Sequence, residues 1–414
     1  MKYLIKNMGF LFFAQLSAYL IPILEIPILA RALGVQEYGK VVLIQSVALL
    51  CSLVVEYGFS LSGSRQIALA RNDTTELSKL FCEVLSAKLI IVTAVTTLGA
   101  LAYLVKGSPV FDSKMVLAGY LYFLAFGFSP FWFFQGLEKI SLVITLEVII
   151  RFSSLFCLYL FVNNSSDAVL ALGIMAAFGL ANTLIGNIMC ANYVSSLRLM
   201  LRGGVEQLRI GFHVFIYKSS NNILLSAGPS LVGATSGAAA VASYVPAEKI
   251  IRGFVGFVNP ILIGFFPYLN RQFISSEAKT LRLSFLIVIA MFLLGSLFAG
   301  LIFSLGDFII QLVLGKEFLI ASGILKIFVW IIPFRLANQA LSLCMLIPMG
   351  KDKIMSFLMM FFSVASLVLA ALLSFWHGVH GAVVGFVVAE FFLFIVLIWV
   401  VLHLAMKPAN GNDV

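Results

Sequence analysis

Ten ionisable side chains of this sequence sit inside long hydrophobic runs: Arg151, Lys218, Lys249, Arg252, Lys326 and Arg335 against Glu25, Glu147, Glu248 and Glu390. A charge at membrane depth costs roughly 2.5–3.5 kcal/mol on insertion scales, so it normally faces a partner or a hydrated interior. Six cations against four carboxylates bias such an interior towards anions. Glu147 and Arg151, and again Glu248 and Arg252, are spaced i,i+4, so each pair shares a helix face and can neutralise itself. Lys249 leaves the second cluster net positive. Arg335 has no acid within a turn and is followed by Asn338 and Gln339, which makes it the strongest candidate for an anionic ligand. Lys218 and Lys326 lie near the ends of their runs and could instead snorkel to the surface.

Glu25 stands between Pro22 and Pro27. Prolines free carbonyls in a membrane helix, so this carboxylate is a candidate proton or cation site; a kinked structural helix near the outer interface is the competing reading. Glu248 is a second coupling candidate, and Glu390 is less informative. The run Tyr217-Lys218-Ser219-Ser220-Asn221-Asn222 is polar for a span. Hydrogen-bonding groups of that kind, Asn221 and Asn222 among them, suit carbohydrate. Phe131-Trp132-Phe133-Phe134 reads as an aromatic belt at the membrane interface.

These side chains must be positioned by membrane helices. The 414 residues are 62% hydrophobic and 11% charged, against roughly 25% charged in soluble domains. Mean hydropathy is +1.09. Soluble enzymes, disordered tails and disulfide scaffolds are excluded. The apolar runs are far longer than the ~10-residue alternating strands of a membrane barrel. Twelve segments are expected, near 7–30, 41–58, 84–105, 115–135, 141–162, 168–194, 212–232, 239–268, 283–305, 318–348, 355–375 and 382–404. The first is too long for a signal peptide's apolar core of 7–15 residues, so it reads as an uncleaved span.

Topology accounts for most of the 27 basic residues. Five (Arg31, Lys40, Lys106, Lys114, Lys316) fall on one side, six lie within spans, and the rest fall on the other side, which the positive-inside rule makes cytoplasmic. Both termini are then cytoplasmic. The cations form no single patch, so the charge of +9 does not point to nucleic acid. Residues 60–83 suggest a short interfacial helix. The expected organisation is an N-terminal six-helix bundle at 1–197, a cytoplasmic linker at 198–211, a second six-helix bundle at 212–404 and a cytoplasmic tail at 405–414. Pro27 to Gly34 and Pro229 to Gly237 echo each other faintly, as repeated halves would.

Enzyme chemistry finds no support. The sequence has no Walker A motif, GxSxG or HExxH, no CxxC, and an HxxH (His377, His380) without further ligands. Glu37, Asp112, Asp167 and Asp307 read as isolated acids.

An ordered set of fragments carries a family likeness. Arg31-Ala-Leu-Gly-Val-Gln-Glu-Tyr-Gly39 follows the first span, Glu56-Tyr-Gly-Phe59 ends the second, and Ser64-Arg-Gln-Ile-Ala68 follows it. Gln135-Gly-Leu-Glu-Lys139 ends the fourth. Tyr244-Val-Pro-Ala-Glu-Lys-Ile250 opens the eighth, Phe266-Pro267 closes it, and Leu314-Gly-Lys-Glu-Phe318 precedes the tenth. In this order the chain resembles the bacterial Wzx-type O-antigen (polysaccharide repeat-unit) flippases of the MOP superfamily, over nearly its whole length.

The resemblance implies two six-helix bundles in a V around a central cavity, in a monomeric protein of the bacterial inner membrane. It implies an undecaprenyl-pyrophosphate-linked oligosaccharide moved from the cytoplasmic to the periplasmic leaflet by alternating access. The pyrophosphate would meet Arg151, Lys218, Lys249, Arg252 and Arg335, with Lys326, Asn221, Asn222, Asn338 and Gln339 as further contacts. No cofactor is implied beyond a proton or sodium gradient acting through Glu25 or Glu248. Membrane lipids, and the polymerase and chain-length regulator of the same pathway, are the implied partners. The competing readings are a MATE-like drug or cation antiporter, which would want an acidic interior, a membrane-embedded polysaccharide polymerase or ligase, which would want a large outer loop, and a scaffold.

Overall fold

The computed structural model describes residues 2–106 and 112–406, and within them the side chains of all but 2–19, 102–106, 213, 216–226, 267, 274, 275, 277, 405 and 406. Every regular element among the described residues is helical. The elements are α1 (Lys2–Glu56), α2 (Ser62–Ala70), α3 (Thr74–Lys106), α4 (Ser113–Gly127), α5 (Phe131–Gly136), α6 (Ile140–Phe161) and α7 (Ala168–Cys190). These are followed by α8 (Leu201–Ser226), α9 (Gly228–Ser236), α10 (Ala238–Ser275), α11 (Glu277–Val313), α12 (Leu319–Phe328), α13 (Ile331–Leu341) and α14 (Asp352–Met406).

Among the described residues nine helical stretches are long and apolar enough to cross a membrane. Two of them, Leu20–Glu56 and Asp352–Leu404, each cover two of the expected segments. They are broken at Gly34 (φ 69°, ψ 174°) and Gly378 (φ 57°, ψ −143°). Lys316–Leu346 is one span assembled from α12, α13 and a π-helical turn at Ser342–Leu346. The expected segment at 212–232 falls on α8 and α9. The all-α, polytopic architecture with twelve spans follows.

The chain divides into two compact units, Met1–Ser230 and Leu231–Val414. Residues 198–211, expected as a linker, already contain the start of α8, which runs without a break into the seventh span. The tail from 407 onward lies outside the described residues.

In the first unit the spans approach closely through small residues, as membrane helices do. A Cβ on Gly119 would collide with Ile44, and one on Gly186 would stand 2.8 Å from Pro130. The Asn187 amide donates to the Phe128 carbonyl at 3.1 Å, and Lys88 donates to that of Ser129 at 2.9 Å. Lys88 is 2% exposed, so it is a further cation within a span, counted above with the cytoplasmic side. It covers carbonyls left open where Pro130 stops α4, at the negative end of that helix.

The Phe131–Phe134 run corrects the aromatic-belt reading. Trp132, Phe133 and Phe134 are buried in a core with Phe59, Ile67, Leu77, Phe81 and Val84. Belt residues face lipid; these face α2 and α3, because Gly63 leaves a berth for Trp132 and Gly136 lets α5 meet Ile67 and the Ser64 carbonyl. Three of the family-like fragments, at 56–59, 64–68 and 135–139, meet at this core. The Glu56 carboxylate accepts the Gly58 and Ser60 N–H groups at 3.2 and 2.8 Å. Lys139 reaches the Tyr193 hydroxyl at 3.0 Å. The expected interfacial helix shrinks to α2, since α3 begins at Thr74.

In the second unit α11 packs on α13, with Gly295 against Pro333. Gly385 packs on Ala370 within α14, and the Ser284 hydroxyl donates to the Cys344 carbonyl in the π-helical turn at 2.7 Å.

Candidate functional site

Each unit carries its own cluster of membrane-embedded charge. In the first, Glu147 and Arg151 on α6 pair at 2.6 Å, as their spacing predicts. Arg151 also interacts electrostatically with Glu25 of α1 and the Tyr122 hydroxyl of α4. The Tyr122 hydroxyl accepts the Gln45 amide at 3.1 Å, and the same amide reaches the Met175 sulfur at 3.8 Å. Tyr38, fully buried, lies in the field of Glu25. Two carboxylates and two tyrosines thus share the surroundings of the Arg151 guanidinium.

The second cluster gathers cations around one acid. Glu248 is 7% exposed and accepts from Arg252 at 2.7 Å. Arg335 of α13 and Lys249 both act on the same carboxylate through space. Three cations surround one acid. The Arg335 guanidinium makes no hydrogen bond or ion pair among the described residues, so its donors stay available to a ligand. Asn338 is buried; its amide nitrogen donates to the Glu390 carbonyl at 3.1 Å. The side-chain oxygens of Asn338 and Gln339 and the Ser342 hydroxyl are buried and have no hydrogen-bond partner among the described residues. Arg335 is thus flanked by unused hydrogen-bonding capacity.

Lys326 stands apart from that cluster. Its ammonium pairs with Asp307 of α11 at 2.7 Å, and Asp307 also accepts from Ser322. Glu37 pairs with Lys40 at 2.7 Å. Neither Asp307 nor Glu37 is therefore the isolated acid that the sequence suggests. The side chains of Lys218, Asn221 and Asn222 on α8 lie outside the described residues. Sequence reasoning missed Tyr122, Gln45 and Tyr38, whose only signal is a polar group recurring within an apolar run. No group of three or more His, Cys, Asp or Glu that could hold a metal occurs among the described residues.

An all-helical polytopic chain with a polar, charged cluster within the spans of each unit has the make-up of a membrane transport protein. Solved structures agree on the fold. The chain superposes on the lipid II flippase MurJ in an inward closed conformation with a TM-score of 0.70, covering 98% of this chain and 88% of that one at 14% identity. It superposes on an inward-facing multidrug resistance MATE family transporter of the MOP superfamily with a TM-score of 0.66, covering 95% and 96% at 15% identity.

Two curated relatives are named as O-antigen transporters. The one from Shigella dysenteriae is 27% identical over 93% of this chain and 96% of its own length. The one from Escherichia coli (strain K12) is 27% identical over 66% of each. Residues 4–273 match the family described as polysaccharide biosynthesis protein. The chain belongs to that family, and it is a multi-pass membrane protein.

Proposed function

We propose that this protein is a flippase that moves undecaprenyl-pyrophosphate-linked O-antigen repeat units from the cytoplasmic to the periplasmic leaflet of the bacterial inner membrane, with both termini cytoplasmic. Its family and its transporter fold support a lipid-linked polysaccharide flippase. The observation that carries the finer reading is the net positive cluster of Lys249, Arg252 and Arg335 around the single buried carboxylate Glu248. A pyrophosphate is an anion with many acceptor oxygens, and guanidinium groups bind it in a fork geometry that a point charge lacks.

In the proposed cycle the pyrophosphate engages Arg335 first, because that guanidinium has no competing partner among the described residues. Arg252 can then share its donors between Glu248 and the ligand. The sugars use neutral hydrogen-bonding groups such as Asn221, Asn222, Asn338 and Gln339, while the polyprenyl chain stays in lipid. Alternating access releases the headgroup on the far side. A proton or sodium gradient supplies the energy through Glu25 or Glu248. Glu25 fits this role well, since it shares an electrostatic field with Glu147, Arg151 and Tyr122, where a change of its charge alters the balance of the whole cluster.

The test is a strain lacking the gene, complemented with the parent or with Arg335→Ala and scored for surface polysaccharide and for lipid-linked repeat units on each leaflet. Loss of the gene should strand repeat units on the cytoplasmic leaflet. Normal surface display in its absence would sink the proposal. A MATE-like cation antiporter is the second reading, favoured by the fold likeness alone; the three cations at Glu248 oppose it. Faster efflux of a cationic dye in the complemented strain would favour it.

A further inference from the structure

Between α7 and α8 the chain forms a strap that lies along the first turns of α3. Ser78, Cys82 and Ser86, spaced i,i+4,i+8, present one row of small polar groups to it. The Ser195 N–H donates to the Ser78 hydroxyl at 2.7 Å. The Arg198 N–H donates to the Cys82 sulfur at 3.3 Å, and that thiol donates to the Ser196 carbonyl at 3.4 Å. The Met200 N–H donates to the Ser86 hydroxyl at 2.9 Å. The start of α8 is then locked by Gly203 and Gly204, where a Cβ would meet Glu83 at 2.5 Å and the Ala87 backbone at 2.9 Å. Gln207, 3% exposed, bridges Gln66 of α2 and Glu83 of α3, at 3.0 Å from the latter.

α3 therefore holds the strap by its main chain and turns its side chains outward. Leu197, Leu199 and Leu201 are 65%, 64% and 53% exposed. Arg198, Arg202 and Arg209 are exposed, and their guanidinium groups make no hydrogen bond or ion pair among the described residues. Glu206 is the one acid beside Arg202 and Arg209 on that helix face. Single exposed leucines are ordinary, but three alternating with free arginines on an anchored backbone form an amphipathic face of the kind that binds anionic bilayers. The face belongs to the end of the unit that carries the excess of Lys and Arg. Charge complementarity and apolar content together call for a ligand with an anionic head and a hydrocarbon chain.

We propose that this collar is a binding surface for anionic phospholipid, holding the strap and the start of α8 at the headgroup layer. The proposal is independent of what the protein transports. The full-length protein, reconstituted in nanodiscs of mixed phosphatidylglycerol and phosphatidylcholine, is released into mild detergent, and retained lipid is measured by native mass spectrometry. The parent should retain phosphatidylglycerol preferentially. Replacing Arg198, Arg202 and Arg209 by Gln should weaken that preference by about fivefold for each arginine. The pair Leu197→Ser and Leu199→Ser should lower retention of both lipids. Lys114→Gln, at the opposite side, should change nothing and so separates this surface from net charge. No preference in the parent, or arginine variants that retain lipid as the parent does, would overturn the proposal. So would a parent that binds poly-glutamate without discriminating lipids, which would mark an acidic protein partner. All variants leave the α3 hydrogen bonds intact, and an unchanged melting temperature verifies this.

Discussion

Gly34 and Gly237 share one uncommon backbone conformation, φ 69° and ψ 174° in the first and φ 83° and ψ 176° in the second. Each lies at the junction of two spans, and each follows a proline (Pro27, Pro229) by seven or eight residues. This region of backbone space is essentially restricted to glycine. Gly315, between α11 and α12, adopts it too (φ 100°, ψ 172°), so the conformation serves span junctions generally and is no signature of repeated halves.

Alanine at either glycine should cost about 1–3 kcal/mol through strain alone. Gly237 is the cleaner case, because a Cβ there meets nothing within 4 Å. Thermal unfolding in detergent checks it; a Gly237→Ala protein that melts with the parent would remove strain as the explanation.

Gly136 and Gly173 should respond in opposite directions. A Cβ on Gly136 would stand 2.6 Å from the Ile67 Cβ and the Ser64 carbonyl, whereas one on Gly173 meets nothing within 4 Å. Overpacking should cost Gly136→Ala about 1–3 kcal/mol. Gly173→Ala, in the interior of α7, should gain roughly 0.5–1 kcal/mol from the lower entropy of its unfolded chain. Side-by-side melting curves decide the sign of each.

Arg335 and Lys326 should separate transport from structure. Arg335→Ala removes a guanidinium without described partners, so stability should hold while delivery of repeat units falls about tenfold or more, the worth of a charge-assisted hydrogen bond. Lys326→Ala breaks a pair with Asp307 that is partly exposed. It should cost at most about 1 kcal/mol and leave delivery near normal. Surface-polysaccharide assays at matched protein level give the comparison.

Arg252→Ala should lower stability by about 1.5–3 kcal/mol, since it strips a charged hydrogen bond from the buried Glu248 carboxylate. Replacing both partners by methionine should restore much of the loss, because an apolar pair avoids the desolvation that a lone buried charge incurs. A double variant as unstable as the single one would place the energy elsewhere than in this pair. Delivery should fall in both proteins if Arg252 meets the pyrophosphate.

The fold was legible because hydropathy alone marks where a helix can cross lipid, and all twelve expected segments have helical counterparts. The i,i+4 pairs at Glu147–Arg151 and Glu248–Arg252 were legible for a similar reason: helix geometry places them side by side whatever else surrounds them. What distance in sequence separates was not legible. Lys326 meets Asp307 19 residues earlier across a turn, and Glu25 shares a field with Arg151 from another helix. The Phe131–Phe134 run imitates a belt because aromatic rings at a span's end look alike whether lipid or α2 covers them. Only Gly63 and Gly136, distant from the run or trailing it, reveal the difference.

The strap on α3 is gripped through peptide groups, which every residue except proline offers alike. Heritable variation at 197–199 can therefore retune charge and greasiness at the bilayer surface without loosening the joint. Ser78, Cys82 and Ser86 have no such latitude. A saturation library of this protein should show a permissive stretch of chain lying beside three intolerant rungs of helix.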